Sequence, residues 1–143
     1  MIIESIIIEM NDKAKQKNIR LSLTSEQNLV IKADQTFIIM LFLNIIENSI
    51  KYNKKGGFIN ICFYKEDNNA KVIIEDNGIG ISDENLIHIF DRFYRVSESR
   101  ADKGSGLGLS IVKEIVEVHK GQIKIDSKLG KGTKFEISLP VNL

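Results

Sequence analysis

Apolar residues at Ile2, Ile3, Ile6, Ile7, Met10 and Ala14 recur at helical spacing, and Asn18 offers a C-terminal stop. Two alternating runs follow and predict short strands. Ile19, Leu21 and Leu23 interleave with Arg20 and Ser22; Leu29, Ile31 and Ala33 interleave with Val30 and Lys32. Asp34 is suited to cap a helix running to about Tyr52. The Gly56-Gly57 pair turns the chain into two more strands, about Phe58 to Tyr64 and Ala70 to Asp76, separated by the polar turn Glu66-Asp67-Asn68-Asn69.

From Asn77 to about Gly106 the pattern is irregular, with one short helical piece near Glu84 to Phe90. A stretch of this length in a compact domain is functional or mobile. The run from Leu107 to His119 is apolar on most sides and predicts a well-buried helix. Two strands close the pattern, with Ile123 and Ile125 in one and Phe135, Ile137 and Leu139 in the other. One-sided alternation implies a mostly antiparallel sheet with one wet face and one face under helices. The expected architecture is an α+β, two-layer α/β sandwich with three main helices on one face.

The 143 residues suit a single domain with one core, and residues 1–143 are read as such. Twenty Lys and Arg against nineteen Asp and Glu leave a net charge of +1, which gives no global electrostatic reason to expect a nucleic acid or an anionic membrane as partner. Cys62 is alone, so no internal disulfide forms, and a small core residue in a reducing, cytoplasmic setting is the expectation. No apolar run approaches the length of a membrane span.

Three segments carry chemistry. In LFLNIIENSIKYN, Ile38, Leu41, Phe42, Ile45, Ile46 and Ser49 share one helical face, and Asn44, Asn48 and Lys51 the opposite one, flanked by Glu47 and Tyr52. A carboxamide oxygen is a neutral, hard ligand suited to Mg²⁺, and a lysine a turn away suits a phosphate. An ordinary amphipathic helix with a solvated polar face explains the same spacing. In Asp76-Asn77-Gly78-Ile79-Gly80-Ile81, Asp76 continues the row of Val72 and Ile74, so a core-facing row carries the carboxylate inward. It must find donors there or protonate, and an adenine amino group is one suitable donor. The competing explanation is a tight Asn-Gly turn. Gly104-Ser105-Gly106-Leu107-Gly108-Leu109-Ser110 precedes the last helix, where exposed N–H groups and the dipole suit phosphates. No G-x-x-x-x-G-K-[ST] occurs, the dinucleotide fingerprint does not fit, and Asp91-Arg92-Phe93 is not the D-F-G magnesium motif.

Taken in order, these segments resemble the boxes of the histidine kinases. NIIENSIKYN is similar to the N box, DNGIGI to G1, IFDRFYR to the F box, GSGLGLSIV to G2, and GKGT (Gly130 to Thr133) to a G3-like turn. The resemblance extends over nearly the whole chain. It implies the Bergerat ATP-binding fold, shared with type II topoisomerases, Hsp90-type chaperones and MutL-type proteins, with a mobile lid from Tyr94 to Ser105. It implies ATP and Mg²⁺ as cofactors, with Asn48 as the metal ligand and Asp76 bonding the adenine amino group beside Gly78, Gly80 and Ile81. Lys51 and Tyr52 would line the phosphate and ribose side, with Asn44 near the phosphates. Gly104, Ser105, Gly106, Leu107, Gly108 and Leu109 would wrap the triphosphate. Arg95 is the candidate cation for the γ-phosphate, and Thr133 belongs to the pocket floor; Tyr94 is a further contact. Arg92 is as readily a structural residue paired within the F box, and Arg100 and Lys103 are read as solvated lid charges.

The resemblance further implies transfer of the γ-phosphoryl group to a histidine on a separate dimerisation domain, and a response regulator downstream. No S-H-E-L-R-T-P-like motif is present, and His88 and His119 read as structural. A truncated piece or a partner-dependent module, monomeric when isolated and not self-phosphorylating, is the expectation; the longer parent would be dimeric and often membrane-anchored. The position that holds a water-activating carboxylate in the topoisomerase and chaperone relatives is Asn44 here, an amide and no base, so little ATP hydrolysis is expected. An anti-sigma-factor-type serine kinase and a non-catalytic nucleotide-binding regulator are the alternatives.

Overall fold

The computed structural model describes residues 2–26, 29–94 and 108–141. Helix α1 (Ile2–Gln16) forms as its periodicity predicts. Asn18 takes left-handed backbone (φ 57°), and the Ile19 N–H returns to the Ala14 carbonyl at 2.8 Å, which ends the helix. Strand β1 (Arg20–Ser25) follows. The second predicted strand does not form: residues 29–33 enter no ladder among the described residues. Leu29, Ile31 and Ala33 still pack half-buried against the core, while Val30 is 80% exposed. Alternation here records one-sided burial, which an unpaired extended segment satisfies equally well.

Helix α2 (Gln35–Lys51) starts where Asp34 accepts the Phe37 N–H at 3.1 Å. Strands β2 (Phe58–Glu66) and β3 (Asn69–Asp76) form a hairpin whose turn is only Asp67-Asn68, because Glu66 pairs with Asn69 in register. A single helical turn, α3 (Asp83–Leu86), is capped by Ser82 and is shorter than predicted. Helix α4 (Gly108–Val118) and strands β4 (Gln122–Lys128) and β5 (Gly132–Pro140) complete the fold.

The sheet order is β1-β2-β3-β5-β4; β1 and β2 are parallel and the other three pairings antiparallel. Ile59, Ile61 and Phe63 of β2, Val72 and Ile74 of β3, and Phe135, Ile137 and Leu139 of β5 present one buried face. Leu41, Phe42, Ile45 and Ile46 of α2, Met10 of α1 and Val112 and Val116 of α4 join that core. Each such side chain contributes roughly 1.5–3 kcal/mol on burial.

Two expectations are corrected. Helix α4 is amphipathic rather than buried on most sides: Val112, Ile115 and Val116 are buried, Lys113, Glu114 and Glu117 are exposed, and Val118 is 65% exposed. Cys62 is no core residue, because its neighbours Ile61 and Phe63 take the inner face and leave it half-buried on the outer one. Among the described residues no helix is long and apolar enough to cross a membrane.

Candidate functional site

One row across the inner sheet face stays polar at its end. Ile59, Asp76, Thr133 and Ser127 are successive cross-strand partners, so a carboxyl and two hydroxyls lie side by side where the apolar rows stop. All three polar residues are buried. Burial pushes the Asp76 carboxyl up from its ordinary value; the N–H groups of Gly78 and Thr133, and the Ser49 hydroxyl, pull it partly back. The Gly78 N–H lies 2.8 Å from Asp76 Oδ1. Ser49 Oγ nevertheless completes no hydrogen bond of full geometry and is the one such buried side-chain polar atom among the described residues. A buried carboxyl with spare acceptor capacity and only a loosely held hydroxyl beside it marks a place built for something polar.

The loop after β3 is bolted to its surroundings by backbone contacts. Ile79 N–H reaches the Tyr52 carbonyl at the end of α2 at 3.0 Å, and Gly130 N–H reaches the Ile79 carbonyl at 2.7 Å. Ile81 N–H donates to Ser127 Oγ at 2.8 Å. Gly78 has no room for a side chain, since a Cβ would press on the Tyr52 carbonyl and Asp76 Oδ1. Gly80 combines φ 71° with contact against the Lys128 carbonyl, so only glycine fits. The rest of the floor is set by amides: Asn77 Oδ1 accepts the Phe58 N–H at 2.7 Å, and buried Asn53 donates to the Phe58 carbonyl at 3.1 Å.

Asn44, Asn48 and Lys51 are all half-buried rather than solvated. Asn44 Nδ2 donates to the Met40 carbonyl at 2.7 Å, and its Oδ1 borders Gly108, where a Cβ would sit 3.1 Å away. This contact brings the polar face of α2 against the first turn of α4. The Asn48 carboxamide forms no hydrogen bond with another described residue, while Lys51 Nζ lies 5.2 Å from the Tyr52 ring centre. Glu47 faces α1 instead, paired with Lys13 at 2.8 Å. Lys17 caps the C-terminal end of α2, donating to the Ile50 and Lys51 carbonyls at 3.1 and 2.8 Å.

Leu109 packs half-buried against the core just inside α4. Tyr94 gives its hydroxyl to Asn85, and its ring lies 5.2 Å from that of His88, so α3 holds it. Arg92 approaches Glu114 of α4 at 3.7 Å, both side chains exposed, rather than a partner within its own segment. Arg95, Arg100, Lys103, Gly104, Ser105, Gly106 and Leu107 lie outside the described residues. His119 is buried, with Nδ1 donating to the Ile115 carbonyl at 2.8 Å and Nε2 facing the Asp34 N–H at 3.4 Å. His88 pairs with Asp91 at 2.9 Å. The sequence patterns gave no role to Ser49, Asn53, Asn77, Ser127 or Lys17; Asn77, Lys17 and, through Ile81, Ser127 meet partners distant along the chain, and the alternation of β4 was the available signal for Ser127.

A buried carboxyl flanked by close-packed glycines, under a helix that carries two half-buried carboxamides, on a mixed sheet, defines a class. Residues 33–143 match the model of the histidine kinase-, DNA gyrase B- and HSP90-like ATPase family, and the chain belongs to that family. Within it the chain is similar to the catalytic, ATP-binding domains of sensor histidine kinases. It is 37% identical over 145 residues to sensor histidine kinase YclK of Bacillus subtilis (strain 168), covering 98% of this chain and 30% of that protein. It is 43% identical over 118 residues to sensor protein RprX of Bacteroides fragilis (strain YCH46), covering 80% and 23% respectively. The chain thus spans under a third of either relative. The nucleotide-free catalytic domain of histidine kinase ThkA superposes with a TM-score of 0.87 at 26% identity, over 99% of this chain and 91% of that one. ThkA in complex with the response regulator protein TrrA gives 0.80 at 25% identity, over 98% and 39%.

Proposed function

We propose that this chain is the MgATP-binding catalytic domain of a sensor histidine kinase, donating the γ-phosphoryl group to a histidine on a separate dimerisation domain. The observation that carries the reading is the buried Asp76 carboxyl. It accepts from the Gly78 N–H and, even with the Thr133 N–H and Ser49 hydroxyl beside it, retains acceptor capacity, which fits the donor character of an adenine amino group.

The remaining roles follow from the chemistry of each group. Asn48 is the Mg²⁺ ligand, its amide uncommitted to other described residues; Mg²⁺ when bound offsets phosphate charge. Asn44 and Gly108 border the phosphate side, Lys51 and Tyr52 the ribose and phosphates, and Gly104 to Leu109 the triphosphate. Arg95 would neutralise charge on the γ-phosphate. No general base faces the site from α2, because Asn44 is an amide and Glu47 is paired with Lys13. The isolated domain therefore positions nucleotide and hydrolyses little of it, and the acceptor's own domain supplies the base. His119 has both ring nitrogens engaged, which argues against it as phosphoacceptor. A response regulator is the downstream partner class, as the ThkA–TrrA complex illustrates for that kinase.

The test uses ATP labelled on the γ-phosphate, with this chain alone and with the histidine-bearing domain of its parent added. Acid-labile label on the added domain, and none on this chain, is expected. Acid-stable label would point to a serine kinase; bound nucleotide with no transfer would leave a regulatory module.

A further inference from the structure

Ser127 lies one strand beyond Thr133 in the polar row that begins at Asp76, and its hydroxyl is fully committed. A serine hydroxyl has one proton and two acceptor positions. Its proton goes to the Gly132 carbonyl at 2.8 Å. The Ile81 N–H takes one acceptor position at 2.8 Å. The remaining contact, 2.8 Å to Thr133 Oγ1, must then have Thr133 as the donor. That hydroxyl has no second proton, so its oxygen meets any further neighbour only as an acceptor. Asp76, its cross-strand partner on the same buried face, is also an acceptor.

We infer that Ser127 is a positioning residue for base selectivity: by holding the Thr133 proton, it leaves the Thr133 hydroxyl an acceptor beside the Asp76 carboxyl, a pair that prefers a 6-amino to a 6-oxo purine. The inference rests on the nucleotide-binding reading above. An adenine amino group brings two protons to two neighbouring acceptors. A 6-oxo purine in the same seat brings one ring N–H and one carbonyl, and the carbonyl oxygen opposes one of the floor's acceptors. Ser127 also braces the loop through Ile81, so a plain structural role predicts a different outcome: loosening the loop weakens all nucleotides alike. Releasing the Thr133 hydroxyl lets it turn and donate to a 6-oxo group, which changes the ratio between bases.

The experiment compares ATP with inosine triphosphate by calorimetry on the wild-type chain, Ser127→Ala and Ser127→Thr. Wild type should prefer ATP; Ser127→Ala should narrow that preference by about tenfold, near the worth of one neutral hydrogen bond, and Ser127→Thr should restore it. Thr133→Val, which removes the hydroxyl at nearly constant shape and leaves Ser127 two of its three partners, should narrow it too and serves if Ser127→Ala fails to fold. Parallel weakening of both nucleotides, or an unchanged ratio in the variants, would overturn the inference. So would a wild-type chain that binds both equally, although the nucleotide-binding reading would survive that result. A folded wild-type chain that binds neither would remove both.

Discussion

Replacing Asp76 by asparagine separates what the carboxylate does for the ligand from what it does for the fold. Asparagine keeps an oxygen able to accept from the Gly78 N–H, now 2.8 Å from Oδ1, and keeps the side-chain shape. It removes the charge and points an amide donor into a site that, on this reading, receives a donor. A hydrogen bond to a charged group contributes roughly 1.5–3 kcal/mol, so ATP affinity should fall by about 10- to 150-fold, toward the upper end because donor meets donor. Stability should move the other way. Burial raises the carboxyl above its unfolded value, so its contribution is fully present below the unfolded pKa and is lost as pH rises through the folded one. Asp76→Asn should therefore melt at or above wild type at neutral pH, and the difference should close as the solution is acidified through the carboxylate range. Asp76→Ala should instead destabilise by about 1–3 kcal/mol, because it strands the Gly78 N–H. Calorimetry with ATP and thermal melts from acid to neutral pH give both readouts. An asparagine variant that binds ATP as wild type does, or that melts well below wild type at neutral pH, would refute the reasoning.

Three further predictions concern the scaffold and the metal. Gly132→Ala places a Cβ against the Asp76 carbonyl at φ 118° and should cost more than about 2 kcal/mol in urea unfolding, whereas Gly130→Ala, at φ 82° with nothing nearby, should cost only about 1–2. Lys17→Met removes the cation on the last carbonyls of α2 and should cost about 0.5–1 kcal/mol, with a modest loss of nucleotide affinity through the Tyr52–Ile79 contact. Asn48→Ala should abolish the Mg²⁺-dependent increment of ATP binding measured with and without the metal, while Mg²⁺-free binding persists.

The site was legible in the sequence where its logic is local. Asp76 continues the Val72–Ile74 row, so alternation alone sends it inward, and the structure buries it with its partners of that row. Asp34 announces α2 because a cap and its N–H are three residues apart. What failed was the inference from pattern to pairing: residues 29–33 alternate in burial yet join no ladder, and α4 reads as apolar although Lys113, Glu114 and Glu117 give it a wet side. What escaped altogether are contacts that close only in three dimensions. Ser127 meets Ile81 across 46 residues, Asn77 meets Phe58 across 19, and Lys17 meets Lys51 across 34. A single serine or lysine carries no local mark of such a partner.

The most direct test of the central claim, that the Asp76–Thr133 floor under α2 is the nucleotide seat, is a titration of MgATP into the isotopically labelled chain followed by amide resonances. The account predicts saturable shifts at Gly78, Ile81 and Thr133 and at the Asn48 side-chain amide. A folded chain showing no shifts there, or shifts confined to the cavity of about 330 Å³ lined by Asn18, Arg20, Gly57 and Phe58, would contradict it.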